Sequence, residues 1–143
     1  MISYEDLPGF ETLVLEESWV LQVTARPGSV SFRLEVVLTS QHPAYRTPDA
    51  GAYLCYHDGD LEFECVTDLE WTGQGALPAT DATGEVDYGH IDTLTWDSGL
   101  YELQGDWGAM RIWAKSARVV LDETSQMVPR PARKHSDGSG PAK

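Results

Sequence analysis

Positive charge is scarce in this chain. Its 143 residues include 10 lysines and arginines against 23 aspartates and glutamates, a formal net charge of −13. Nucleic-acid affinity comes mainly from Lys and Arg neutralising phosphates, so the balance argues against that class of ligand. It argues equally against an anionic membrane surface. Cysteine is nearly absent, and Cys55 with Cys65 makes no disulfide framework. No apolar run approaches the ~20 residues needed to span a bilayer as a helix. The opening residues MISYEDLPGF lack the basic and apolar regions of a secretory signal. A cytoplasmic protein is the expectation. There is no P-loop, no dinucleotide fingerprint and no G-x-S-x-G elbow. A sustained apolar stripe at helical spacing is missing as well.

What is present is a folding composition. Hydrophobic residues make up 41% and aromatics 10%, enough for one domain with a real core. The charge is uneven. Leaving out residues 128–143 removes Arg130, Arg133, Lys134 and Lys143 but only one acid, Asp137. The remainder holds 6 basic and 22 acidic groups, a net charge of −16. The expected organisation is one all-β domain over 1–127 and a disordered basic tail over 128–143, rich in Pro, Gly and Ser.

The dominant apolar period is two, the signature of strands. Four hairpins can be written. Around Pro27-Gly28, Ala25 opposes Val30, Val23 opposes Phe32, Leu21 opposes Leu34 and Trp19 opposes Val36. Around Asp58-Gly59, Tyr56 opposes Leu61, Leu54 opposes Phe63 and Ala52 opposes Cys65, which puts Cys55 and Cys65 on opposite faces. Around Ser98-Gly99, Trp96 opposes Tyr101 and Leu94 opposes Leu103. Around Lys115-Ser116, Ala114 opposes Ala117, Ile112 opposes Val119 and Met110 opposes Leu121. ETLVLE and VTDLEW add shorter strands. About ten strands between turn signals predict antiparallel hairpins forming a β-sandwich or partly open barrel. Trp19, Tyr56, Trp96 and Tyr101 fall on the predicted inward faces. GQG at 73–75 and GDWG at 105–108 read as turn punctuation. Two irregular segments, 39–51 and 72–90, are where a site is expected.

Several constellations could carry chemistry. The run from Asp81 to Asp92 alternates oxygen ligands, but Val86 and Asp92 stand where a calcium loop needs Gly and Glu. A solvated loop capping its own turns is the simpler reading. Cys55 and His57 share a predicted face, with Glu62 opposite Cys55. With His42 or His90 they would make a zinc site, yet the usual paired spacings are missing. No metal and no cofactor is therefore expected. His90 with Asp87 and Asp92 is a conceivable acid–base group, lining a pocket near His42 and Tyr45. Trp113 is expected on an outward face beside Arg111 and Val120, and Trp and Arg are enriched in binding hot spots. A second sheet covering that face is the competing reading. Asp60, Glu62 and Glu64 project together from one strand, a cost that a basic partner would relieve. Plain solubility is the blander account.

The segments His42-Pro43-Ala44-Tyr45, GEVDYGHID at 84–92 and Gly105-Asp106-Trp107-Gly108 together resemble small bacterial domains of unknown function. That resemblance covers most of residues 10–122 and implies a bacterial origin and an all-β fold, but no activity. In general appearance the chain is also similar to the immunity proteins that neutralise polymorphic toxins, an analogy of class. The expected function is a non-enzymatic binding domain of immunity or accessory type, showing an acidic face to a basic protein. The alternative is a small-molecule binder or hydrolase-like enzyme using the 81–92 loop. A homo-oligomer pairing sheet edges or the Trp113 face is the third possibility.

Overall fold

The computed structural model describes residues 1–48, 54–75, 79–80 and 86–123. Eleven strands are formed among them: β1 (Ile2–Ser3), β2 (Leu13–Arg26), β3 (Ser29–Leu38), β4 (Cys55–Glu64), β5 (Asp68–Thr72), β6 (Ala79–Thr80), β7 (Val86–Asp87), β8 (Ile91–Asp97), β9 (Leu100–Gly105), β10 (Gly108–Trp113) and β11 (Ser116–Leu121). They build two antiparallel sheets, ordered β1-β8-β9-β10-β5 and β11-β4-β3-β2, with a small β6-β7 ladder beside them. The sheets do not close into a barrel, and the architecture is that of a β-sandwich. Among the described residues no helix is long and apolar enough to cross a membrane. Part of the acidic run (81–85), Ala52 and the basic tail lie outside the described residues.

The core lies between the inner faces of the sheets. Val30, Phe32, Leu34, Val36 and Leu38 alternate along β3 and are almost fully buried, as are Leu61 and Phe63 on β4. Leu94, Tyr101, Leu103, Met110 and Ile112 answer them from the other sheet. Edge-to-face aromatic contacts tie the layers together. Phe63 meets Tyr101 at 5.2 Å, and Phe32 meets Trp107 at 5.0 Å, separations at which such rings attract.

The hairpin around Ser98-Gly99 forms in the expected register, with Trp96 opposite Tyr101 and Leu94 opposite Leu103. Both turn residues take positive φ, 52° and 89°, as a two-residue turn matched to strand twist requires. The first hairpin keeps its expected register near the turn, with Ala25 opposite Val30 and Val23 opposite Phe32. Beyond Gln22 a bulge intervenes. Val20 then opposes Leu34 in place of Leu21, and Trp19 opposes Glu35 in place of Val36. The extra residue reverses the parity of the strand. Val20 enters the core, while Trp19, though buried, packs outside it. ETLVLE is no separate strand, because Leu13–Leu15 belongs to the far end of β2.

Two expected hairpins do not form. Asp58-Gly59 lies inside the ten-residue strand β4, which pairs with β3 on one side and β11 on the other. Alternation runs unbroken through it: His57, Gly59, Leu61 and Phe63 are buried between less buried neighbours. Tyr56 therefore shares the outer face with the acids and not the core face. A strand paired along both edges gains two ladders of hydrogen bonds, which outweighs the turn preference of one dipeptide. Cys55 and Cys65 stand at opposite ends of this straight segment, both as free thiols. Glu62 is seven residues further along the strand from Cys55, not opposite it. The Lys115-Ser116 hairpin fails for a related reason. Both edges of β10 are taken by β9 and β5, so the chain crosses to the second sheet and β11 pairs with β4.

Candidate functional site

The acidic stripe projects from β4 as expected, but arginines of neighbouring strands reach it. β3 places Arg33 beside Asp60 at 3.1 Å, and Arg33 also makes a forked contact with Asp122. That hydrogen bond holds the Asp122 carboxyl below the ordinary carboxylate range. β11 places Arg118 against Glu62 at 3.2 Å and Glu64 at 2.9 Å. Cross-strand pairing sets this up, since Arg33 opposes Asp60 and Arg118 opposes Glu62 in the ladders. Much of the like-charge cost is thus relieved within the chain.

The outer face of the five-stranded sheet is arranged differently. Arg111 and Trp113 are two residues apart on β10 and so project together, the guanidinium lying 5.1 Å from the ring centroid. Arg111 is flanked by Glu102 at 3.2 Å and Glu70 at 3.5 Å. Asp68 and Leu100 oppose Trp113 on the two neighbouring strands, and Asp97 follows Leu100 one strand further out. Trp113 is partly exposed. Val120 is not its neighbour, because β11 belongs to the other sheet.

His90 and Asp87 are held by separate sets of contacts, while Asp92 lies near enough to His90 for the ring to act on its carboxyl. The stretch after β7 runs along β2, with Tyr88 donating its N–H to Val20 and Val20 donating to Gly89. His90 stacks on Trp19 at 4.0 Å between centroids, and its Nδ1 lies 2.7 Å from the Ser18 carbonyl. The Asp87 side chain is buried and accepts the Gly89 N–H, capping a local turn. Asp92 is exposed, and its carboxyl is pushed up first by partial burial and then by Asp106. His42 and Tyr45 lie in turns after β3. His42 Nδ1 accepts the Ala44 N–H at 2.9 Å, and burial followed by the nearby His57 lowers its pKa. Cys55 Sγ accepts the Arg46 N–H. Among the described residues no three His, Cys, Asp or Glu side chains converge as a metal site would require.

A cleft of about 620 Å³ lies where edge strand β2 of one sheet approaches edge strand β5 of the other. Gln22 and Thr24 line it from β2, Trp71 and Gln74 from β5 and its end, and Tyr88 and Trp107 from the loops beyond. The two indoles are fixed by their own N–H groups. Trp71 Nε1 donates to the Trp107 carbonyl at 3.2 Å, and Trp107 Nε1 donates to the His90 carbonyl at 3.0 Å. Gly105 and Gly108 make this possible. A Cβ at Gly105 would strike the His90 carbonyl and the Trp107 ring, and one at Gly108 would strike the Thr72 carbonyl. GDWG is the β9–β10 turn, as expected, and also the seat of an indole. None of the candidate catalytic or binding residues named from the sequence lines the cleft, although Gln74 and Tyr88 fall in the 72–90 segment where a site is expected and Trp107 falls in GDWG. One signal was available: Trp71, Tyr88 and Trp107 each stand within two residues of a glycine.

No protein-family model, curated protein or solved structure matches the chain. The resemblance noted above therefore lends neither an origin nor a role.

Proposed function

We propose that the chain is a non-enzymatic protein-binding domain of accessory or immunity type that offers an acidic sheet face to a basic protein. The observation that carries this reading is the outer face of the five-stranded sheet. There Trp113 and Arg111 are bordered by Asp68, Glu70, Asp97 and Glu102, four carboxylates to one guanidinium and the N-terminal ammonium, which lies 3.9 Å from Asp97. Trp and Arg are the residue types most often found to dominate interfaces. Arg111 is already held by two carboxylates and the Trp113 ring, so little side-chain freedom is lost when a partner arrives. The surplus acid would steer a basic partner to the face and disfavour an acidic one. The Asp60, Glu62 and Glu64 stripe supports the reading more weakly, because a partner there must displace Arg33 and Arg118. Catalysis by His90 with Asp87 and Asp92 has no comparable support, since the Asp87 carboxylate and the His90 ring are each engaged with backbone groups.

The test is affinity capture from a host lysate with the native chain and Trp113→Ala side by side, repeated at rising salt. The expected result is a basic protein retained by the native chain, released as salt screens the attraction and not retained by the variant. Equal retention by both chains, or retention indifferent to salt, would overturn the proposal.

A further inference from the structure

We infer that β5 is a docking edge, to which a basic protein adds an extended segment as a further antiparallel strand, Lys or Arg alternating in it with apolar residues. This gives the partner's mode of binding and so rests on the protein-binding reading above. β5 ends the five-stranded sheet and pairs with β10 along one side. The Ala114 N–H donates to the Gly99 carbonyl, in line with the Ile112–Tyr101 and Met110–Leu103 pairs. Alternation in an antiparallel ladder then turns the backbone groups of Met110 and Ile112 to β9, and those of Ala109, Arg111 and Trp113 to β5. Thr72, Glu70 and Asp68 answer them on β5. The backbone groups of Leu69 and Trp71 therefore face the other side. The Leu69 N–H shows this directly, because it is held at 2.8 Å by the carboxylate of its own neighbour, Asp68.

The two faces of β5 select the occupant. Asp68, Glu70 and Thr72 are exposed on the outer face, and Leu69 and Trp71 are half-buried on the inner one. An added strand sets its side chains opposite these, ~4.5–5.5 Å away between Cβ atoms. Basic residues there meet Asp68 and Glu70, and apolar residues cover Leu69 and Trp71. Main-chain hydrogen bonds supply affinity in this mode, and the alternate side chains supply specificity. The edge also borders the face proposed above, since Asp68 opposes Trp113 and Glu70 opposes Arg111. One partner can therefore engage both.

The rival occupant is a second copy of this chain. Two β5 edges paired along their whole length would set Glu70 opposite Glu70, and like charges directly opposite are unfavourable. Two chains of net charge −13 also repel one another before contact. Edge strands are often closed to all comers by Lys or Pro. β5 reads DLEWT and has neither. Its acids exclude acidic chains and admit basic ones, which is discrimination by repulsion as well as by attraction.

The test is a ¹H–¹⁵N NMR titration of the full chain at low salt with an end-capped heptapeptide of alternating lysine and valine. Its comparisons are the same peptide N-methylated at every valine, the same N-methylated at every lysine, and a glutamate–valine peptide. In antiparallel addition the valines beside Leu69 and Trp71 use their own N–H groups on β5, and the lysine N–H groups point away. The unmethylated peptide is expected to shift the Leu69 and Trp71 backbone amides saturably and to slow their hydrogen exchange. Methylated valines should weaken binding by about tenfold or more through lost hydrogen bonds, and methylated lysines by no more than about twofold. The glutamate peptide should not bind. Asp68 is exposed, so Asp68→Lys spares the fold, and it should weaken the lysine peptide by about tenfold. Silence at Leu69 and Trp71, equal loss on methylating either residue type, or equal binding of the glutamate peptide would each overturn the assignment. Failure here is separable from failure of the protein-binding reading. A basic protein captured by the native chain and lost with Trp113→Ala, beside a silent β5, overturns the strand and leaves that reading standing.

Discussion

At the scale of single residues, side chains are fixed by what lies beside them, and His42 shows how this couples to pH. Its Nδ1 accepts the Ala44 N–H, which only the neutral ring can do. Burial, then the nearby His57, lowers its pKa from the ordinary 6.5. In the unfolded chain the ring takes up its proton as pH falls through that ordinary value. The folded chain resists, so the unfolded state binds more protons over this interval and stability declines with acidification. The decline ends once pH passes the lowered folded value. His42→Asn supplies an amide oxygen for the same turn contact and does not titrate. Denaturation midpoints between about pH 7 and 5 should fall less steeply for the variant than for the native chain; parallel profiles would assign the sensitivity elsewhere. Ser18 is another case of local pairing. Its hydroxyl donates to the Val14 carbonyl and accepts the Val37 N–H, serving backbone groups at a second irregularity of the β2–β3 pairing, between Val14 and Trp19.

At the scale of elements, β4 organises the four-stranded sheet, and Gly59 is its tightest point. A Cβ there would come within 2.8 Å of the Val120 carbonyl and 3.0 Å of a Leu121 methyl. Both contacts belong to β11, so that strand lies this close only because the position is bare. Gly59→Ala is expected to destabilise the fold by about 1–3 kcal/mol, the usual cost of overpacking, read from chemical denaturation. Faster hydrogen exchange along β11 should accompany it. Were Asp58-Gly59 a hairpin turn, the same substitution would act through the turn and spare β11, so the exchange pattern separates the two structures. The same dipeptide explains why this element was illegible from sequence. A turn signal is local, whereas two partner strands, one of them over fifty residues away, settle whether it is used. Ser98-Gly99 was legible because β8 and β9 do pair with each other, and local and distant preferences agree.

At the scale of the whole molecule, charge is the governing quantity. The native chain carries −13, and self-repulsion opposes compactness. Seven contacts of 4 Å or less between opposite charges are present among the described residues, nearly all on Arg33, Arg111 and Arg118. Salt weakens both attraction and repulsion. Exposed pairs contribute little, so relief of repulsion should win. Raising ionic strength from ~0.01 to ~0.15 M shortens the screening length from about 30 to about 8 Å. The thermal midpoint is expected to rise over that range; a fall would mean that the three arginine clusters outweigh the general repulsion.

Composition and alternation were enough to establish an all-β antiparallel chain with inward Phe32, Leu34, Leu61, Phe63, Leu94 and Leu103. Burial in a sheet follows a period of two, and that period is written in the residues themselves. They also placed Arg111 and Trp113 together, because two residues apart on one strand is a local relation. Tertiary structure alone decided which strands pair, which parity holds beyond a bulge, and which acids meet an arginine. It alone brought Gln22, Trp71, Tyr88 and Trp107 to one cleft. Those outcomes depend on contacts between residues distant in the chain, and a hydrogen-bonding edge carries no label for its partner.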